Sequence, residues 1–227
     1  MDKLLYLSQI NLFEEMPMDE LEAIDHISEM QPMKKGNLIL GPTKPNRALY
    51  LLKKGNVRLY RSSEDGKQLT VDLLGDGNVF GETSTFSLND DQTYAEALTD
   101  VYLCVIGKDE FTVLMEQYPK LAIKFIEILS ARLKETYEMS ESLALRNVRY
   151  RILSLLLKLS EKFGRRSKEW QTIDVKVTHH DIASMIGSTR ETVSATMAQL
   201  KKDGFIKKSP LTFKINADKT TEFLQQY

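Results

Sequence analysis

Residues Thr178 to Asp203 read THHDIASMIGSTRETVSATMAQLKKD and hold the densest chemistry in the chain. Thr178 with Asp181, and Ser188 with Glu191, each have the spacing of a capping box, in which a hydroxyl and a carboxylate satisfy free amide groups of a first helical turn. Two short helices are expected, separated by Gly187. Ile182 and Ile186, with the small Ala183 between them, give the first helix an apolar face that a neighbour can approach closely, and Val193, Met197 and Leu200 give the second its own. This is the pattern of a helix-turn-helix. It leaves Arg190, Glu191 and Ser194 near the N-terminal end of the second helix, the end that enters a major groove in this motif. Arg190 can bond guanine O6 and N7, and Glu191 can accept from a cytosine amino group. Plainer readings stand beside these: Glu191 as a cap alone, and Arg190 as a solvated charge.

The surroundings agree with a polyanion as the partner. FIKK and LTFKI on either side of Ser209-Pro210 read as a small hairpin, a wing, and Lys201, Lys202, Lys207, Lys208 and Lys214 are placed to face phosphates, giving affinity without sequence preference. Residues 146 to 227 carry 16 Lys+Arg against 8 Asp+Glu, whereas residues 1 to 145 carry 15 against 24. The basic part is the candidate for nucleic acid, and the acidic part is not.

The elements that must carry this head are legible upstream. Eight of the 11 glycines lie between Gly36 and Gly107, punctuating the strand-like runs LIL (38–40), LYLL (49–52), VRLY (57–60), LTVDLL (69–74) and VYLCVI (101–106), the signature of a small barrel or sandwich. LSQINLF and MDELEAIDHI before them read as two short helices. From Lys108 to Leu145 the spacing predicts one long helix, with Ile126, Leu129, Leu133, Thr136, Ser140 and Leu143 at the alternating steps of a two-stranded coiled-coil seam. A stripe packed on the chain's own barrel is the alternative. Asn147 is a candidate hinge before a second apolar helix, VRYRILSLLLKLSEKF, that Gly164 ends, and TIDVKV is a strand candidate after it.

Composition removes several function classes. With 227 residues, 42% hydrophobic and 28% charged, the chain can bury real cores, and it has no apolar run near the roughly 18 residues that span a bilayer. MDKLLYLSQINLF lacks a small-residue cleavage site after an apolar stretch, so membrane insertion and secretion are disfavoured. The single cysteine, Cys104, excludes an internal disulfide framework, a four-thiolate zinc site and a cysteine-held iron–sulfur cluster within one chain, and points to the cytoplasm. In VYLCVI it reads as a small buried apolar residue, with a thiol switch as the alternative. A metalloenzyme built on the barrel needs histidine and carboxylate ligands on its strands, and the strand region has no histidine. No catalytic or metal-ligating set is found.

From LSQINLFEEM to LTFKI the chain resembles the catabolite activator and anaerobic regulator (CRP/FNR) family of bacterial transcription factors. GSTRETV is similar to the family's recognition helix, and FGE at Phe80 to Glu82 is similar to its effector-pocket turn. The resemblance implies an α+β chain: an N-terminal cyclic-nucleotide-binding-like β-roll, a jelly roll, over residues 1–109; a dimerisation helix over 110–146; and a winged helix-turn-helix over 147–227. It implies a homodimer on a twofold-symmetric operator, with RNA polymerase as a partner if the protein activates. The DNA-contact set is then Thr178, His179, Ser188, Thr189, Arg190, Glu191, Ser194, Lys201, Lys207 and Lys208. The effector-pocket set is Phe80, Gly81, Glu82, Thr83, Gln92, Thr93, Thr136 and Tyr137.

Departures from the family pattern shape what carries over. The family's cyclic-nucleotide activators follow FGE with an Arg-Ser or Arg-Thr pair that holds the cyclic phosphate; here that stretch reads NDDQTYAEA, and no arginine occurs between Arg61 and Arg132. A cyclic phosphodiester is therefore disfavoured as effector. The oxygen-sensing branch's N-terminal cysteines are absent, and no histidine lies between His26 and His179, so neither an iron–sulfur cluster nor haem is expected. Ala195 stands where the activator pattern has a further arginine, so a TGTGA-like half-site is expected only at the guanine facing Arg190. A nucleotide-binding regulatory subunit acting on a partner enzyme is the alternative function.

Overall fold

The computed structural model describes residues 3–43, 48–81, 88, 92–165, 169–208 and 212–226. The chain divides into two compact units, residues 1–134 and 135–227. The first opens with α1 (Lys3–Leu7), a 3₁₀ turn (Asn11–Phe13) and α2 (Met18–Ile27). LSQINLF is thus not one helix: Leu7 ends α1, and the tighter turn follows, burying Leu12 and Phe13.

Eight strands follow: β1 (Glu29–Met33), β2 (Leu38–Leu40), β3 (Ala48–Lys54), β4 (Val57–Ser62), β5 (Gln68–Leu74), β6 (Val79–Gly81), β7 (Tyr94–Ala97) and β8 (Val101–Gly107). They form two antiparallel sheets, β1-β8-β3-β6 and β2-β7-β4-β5, that close as a roll. All five expected runs are strands. Three more, β1, β6 and β7, are short or proline-bearing and carry little local signal.

Alternation along β3 decides the packing. Ala48, Tyr50 and Leu52 face the roll interior with Val57, Leu59, Phe80 and Leu103. Leu49 and Leu51 face the other way, into a second core closed by Leu7, Ile10, Phe13, Leu21 and Ile24 of the N-terminal helices. Cys104 belongs to this second core, fully buried, with its Sγ 3.4 Å from the Ser28 hydroxyl. That burial keeps the thiol from solvent oxidants and supports its apolar reading.

The one long helix expected from Lys108 to Leu145 is two helices: α3 (Lys108–Gln117) and α4 (Pro119–Leu145). Tyr118 between them has φ −122° and ψ 80°, because a residue before proline is pushed out of the α region. Leu121 and Phe125 of α4 are buried on the helical core with Phe111 of α3, and the two phenyl centroids lie 5.6 Å apart. Burying each ring contributes about 1.5–3 kcal/mol.

In the second unit, Asn147 is the N-cap of α5 (Val148–Phe163), its side chain accepting from the Tyr150 amide. A four-stranded antiparallel sheet, β11-β12-β10-β9, is made of β9 (Gly164–Arg165), β10 (Trp170–Ile173), β11 (Ile206–Lys208) and β12 (Phe213–Asn216). TIDVKV is therefore mostly not strand: β10 ends at Ile173, and Val175 and Val177 are instead buried singly on the way to the next helix. The remaining helices are α6 (His179–Met185), α7 (Arg190–Lys202) and α8 (Ala217–Gln225); the last was not expected from the sequence.

Candidate DNA interface and effector pocket

Helices α6 and α7 meet through the apolar faces their spacing dictates. Ile182, Ala183 and Ile186 on one side and Val193, Met197 and Leu200 on the other are all buried, and α6 packs on α7. Gly187 turns the chain between them at φ +59°, and a side chain there would press on Leu143 Cδ2 at 3.0 Å. The Arg151 guanidinium donates to the Ile186 carbonyl at 2.7 Å, capping the end of α6.

The α6 capping box is present in both directions: Thr178 Oγ1 accepts from the Asp181 amide, and Asp181 accepts from the Thr178 amide at 2.7 Å. The α7 box is not. Its N-cap is Thr189, whose hydroxyl accepts from Thr192 N at 3.2 Å, while Ser188 N donates to Ala183 O within the turn. The helix starts one residue later than the Ser188–Glu191 spacing implies, because the turn claims the Ser188 amide. Glu191 then stands at the second helical position, exposed beside the exposed Arg190, and is not the partner of a box. Thr192 and Ala195 are exposed on the same end. Ser194 is half-buried and is not free: its hydroxyl lies 2.9 Å from His179 Nδ1.

The far end of α7 is also held. Asp203 pairs with Arg149 of α5 at 2.6 Å, and the same guanidinium lies over the Phe205 and Phe223 rings. Lys219 of α8 donates to the Asp203 carbonyl at 2.6 Å. The hydrogen bond from Arg149, then that from Gln199, holds the Asp203 carboxyl below its ordinary value of 3.8. A carboxylate so lowered stabilises the fold fully above the ordinary value and loses that contribution as pH falls through the lowered one. Asp203→Asn is accordingly expected to melt below the parent protein by a constant margin above about pH 5. That margin should shrink below about pH 4, as followed by thermal unfolding from pH 6 to 3.

On the wing, Lys207 and Lys214 sit directly across the β11–β12 ladder and are both exposed. Like charges opposite one another destabilise a hairpin unless an anion lies between or near them. Lys207 Nζ also rests 3.8 Å from the centroid of the Trp170 ring. Lys201 is exposed near the end of α7, while the Lys208 side chain and the Ser209-Pro210 tip lie outside the described residues.

The expected seam is divided by the structure. Ile126 and Leu133 are 61% and 53% exposed, and Ile123 and Tyr137, at 60% and 67%, extend the same stripe. Leu129 is partly buried and packs on the helical core of its own unit. Leu143, 39% exposed, reaches the Gly187 turn of its own helix-turn-helix. Thr136 and Ser140 are exposed and polar.

In the roll, Phe80 is fully buried and stacks on Tyr50 at 5.2 Å. Gly81 has φ +111°, and a Cβ there would collide with the Ala48 carbonyl. Thr93 is buried and Gln92 exposed; Glu82 and Thr83 lie outside the described residues, and Thr136 and Tyr137 belong to the second unit. The structure adds a residue to this region that spacing did not assign to it. Arg132 of α4 donates to the Val79 and Leu88 carbonyls, the latter at 2.9 Å. Only its place as the first arginine after Arg61 hinted at a role.

Among the described residues no group of His, Cys, Asp and Glu could hold a metal ion, and no helix is long and apolar enough to cross a membrane.

Comparison with known proteins agrees with this architecture. Residues 30–118 match the family model of the cyclic nucleotide-binding domain, and residues 150–216 match that of the Crp-like helix-turn-helix domain. The global nitrogen regulator of Synechococcus elongatus is 36% identical over 180 residues, 78% of this chain and 81% of that protein. The cyclic AMP receptor protein of Thermus thermophilus is 30% identical over 74% of this chain and 75% of its own. A solved CRP/FNR-family transcriptional regulator, also from Thermus thermophilus, superposes with a TM-score of 0.70 at 30% identity, covering 87% of this chain and 98% of that one. With the roll, the exposed α7 turn and the wing all in place, the chain belongs to the CRP/FNR family of DNA-binding transcription regulators.

Proposed function

We propose that two copies pair along the α4 stripe of Ile123, Ile126, Leu133 and Tyr137 and present their α7 helices to successive major grooves of a twofold-symmetric operator. The observation that carries this reading is the division of α7: Val193, Met197 and Leu200 are buried, while the first turn holds Arg190 and Glu191 out to solvent. Arg190 reads guanine and Glu191 reads the amino group of cytosine. Thr178, Ser188, Thr189, Lys201, Lys207 and Lys214 lie along the phosphates and set register. The protein performs no catalysis, works in the cytoplasm, and meets RNA polymerase where it activates.

A cyclic nucleotide is disfavoured as the effector. No arginine lies between Arg61 and Arg132, and Arg132 is bonded to the Val79 and Leu88 carbonyls, which leaves a phosphodiester without the bidentate partner it needs. No haem or iron–sulfur cluster takes part. Selection from random duplexes tests the function: enrichment of an inverted repeat with half-site centres about 10–10.5 base pairs apart is expected. Recovery should be the same with and without cyclic AMP. A failure to enrich any sequence would overturn the reading, and an operator bound only with cyclic AMP would overturn its effector part.

A further inference from the structure

One imidazole joins three separate pieces of the DNA-binding head. His179 is the first residue of α6; its Nδ1 lies 2.9 Å from the Ser194 hydroxyl in α7, and its ring stacks on Phe213 of β12 with centroids 6.1 Å apart and planes 20° from parallel. The buried side chains of α6 and α7 described above are apolar, Ile182, Ala183 and Ile186 on one side and Val193, Met197 and Leu200 on the other, and Ser184 of α6 is a buried polar residue beside them. Apolar packing fixes how closely two helices approach, but the hydrophobic effect behind it is non-directional. A hydrogen bond is directional. Ser194 lies four residues after Arg190, hence on the same side of α7 and one turn along. Whatever fixes the azimuth of Ser194 therefore fixes the direction in which Arg190 leaves the helix.

We infer that His179 is a positioning residue for sequence discrimination: through Ser194 it sets the rotation of α7, and through Phe213 it keys that rotation to the wing. Its near nitrogen is committed to the hydroxyl, donating or accepting according to tautomer, and Ser194 is correspondingly unavailable for direct base contact. A bidentate contact to guanine needs two hydrogen bonds aligned at once, so a small turn of α7 costs discrimination before it costs phosphate affinity. The inference rests on the groove-facing placement of α7 proposed above.

Four variants test it: His179→Phe keeps a ring to stack on Phe213 but loses the bond, Ser194→Ala removes the other partner, His179→Asn returns a short polar group near the position of Nδ1, and the fourth combines the first two. His179→Phe and Ser194→Ala are each expected to lower the ratio of operator to random-duplex affinity about five- to tenfold at each half-site, the scale of one hydrogen bond, hence about 25- to 100-fold over the symmetric operator. Random-duplex affinity should fall much less than operator affinity, since the lysine contacts to phosphate are untouched. The double variant should lose no more than either single one, and His179→Asn, which restores the bond without the stack on Phe213, should recover only part of the loss. Ser194→Ala places a strong helix former on α7 and so keeps the test open if His179→Phe folds poorly. Losses that multiply in the double variant would overturn the inference, as would an equal loss on random duplex, which marks His179 as a phosphate contact. If the parent protein itself shows no preferred operator, it is the reading of α7 that fails.

Discussion

Aspartate at both Ile126 and Leu133 is expected to convert the protein to a monomer and to lower operator affinity by about 10²–10⁴-fold, the difference between a linked pair of binding heads and a single one. The choice of positions follows from exposure. Ile126 and Leu133 are 61% and 53% exposed and belong to neither of the two cores described for the first unit, so a charge there leaves the fold alone. In a twofold interface each substitution is met twice, and like charges are brought face to face. Leu129, although on the original heptad spacing, is the wrong residue for the experiment because it packs on the helical core. Sedimentation gives the oligomeric state, and a gel-shift titration gives the affinity. A variant that sediments as a monomer yet binds the operator as the parent does would refute the pairing.

Arg190→Ala is expected to cost about 1–3 kcal/mol at each half-site, hence about 2–6 kcal/mol over the symmetric operator, with little change on random duplex. Its guanidinium is exposed on the first turn of α7. That turn is anchored at its near end by the Thr189 cap and the His179–Ser194 bond, and α7 is held at its far end by Arg149 and Lys219 on Asp203. Removing Arg190 deletes a base contact from a helix that stays in place. Lys214→Ala offers the contrast: it should weaken operator and random duplex together and flatten the salt dependence by about one unit of slope per lysine. Competition binding at several salt concentrations separates the two behaviours. Parallel losses on both kinds of DNA from Arg190→Ala would reassign it to the backbone.

The departures of the structure from the sequence pattern share a physical origin. Ser188 and Thr189 are both competent caps, and the turn decided between them by taking the Ser188 amide for Ala183. Leu129 and Leu133 are both apolar at seam spacing, and only the roll's position behind α4 decided that one packs at home and the other remains exposed. Strands β1, β6 and β7 have too few or too irregular apolar positions to stand out, and they exist because neighbouring strands offer them ladders.

What the sequence alone determined is local: the helix-turn-helix, its Gly187 turn and apolar faces, the five glycine-punctuated strands, the end of α5, and the basic head on an acidic body. Each depends on side chains within a few turns of one another, where periodicity and capping chemistry act directly. Tertiary structure alone decided the partners: Phe125 of α4 meeting Phe111 of α3, Arg132 reaching two carbonyls 44 and 53 residues away, and His179 crossing to Ser194 and Phe213. Periodicity reveals that a face is apolar or that a donor exists, but what covers the face or accepts the bond is set by chain segments far away in sequence.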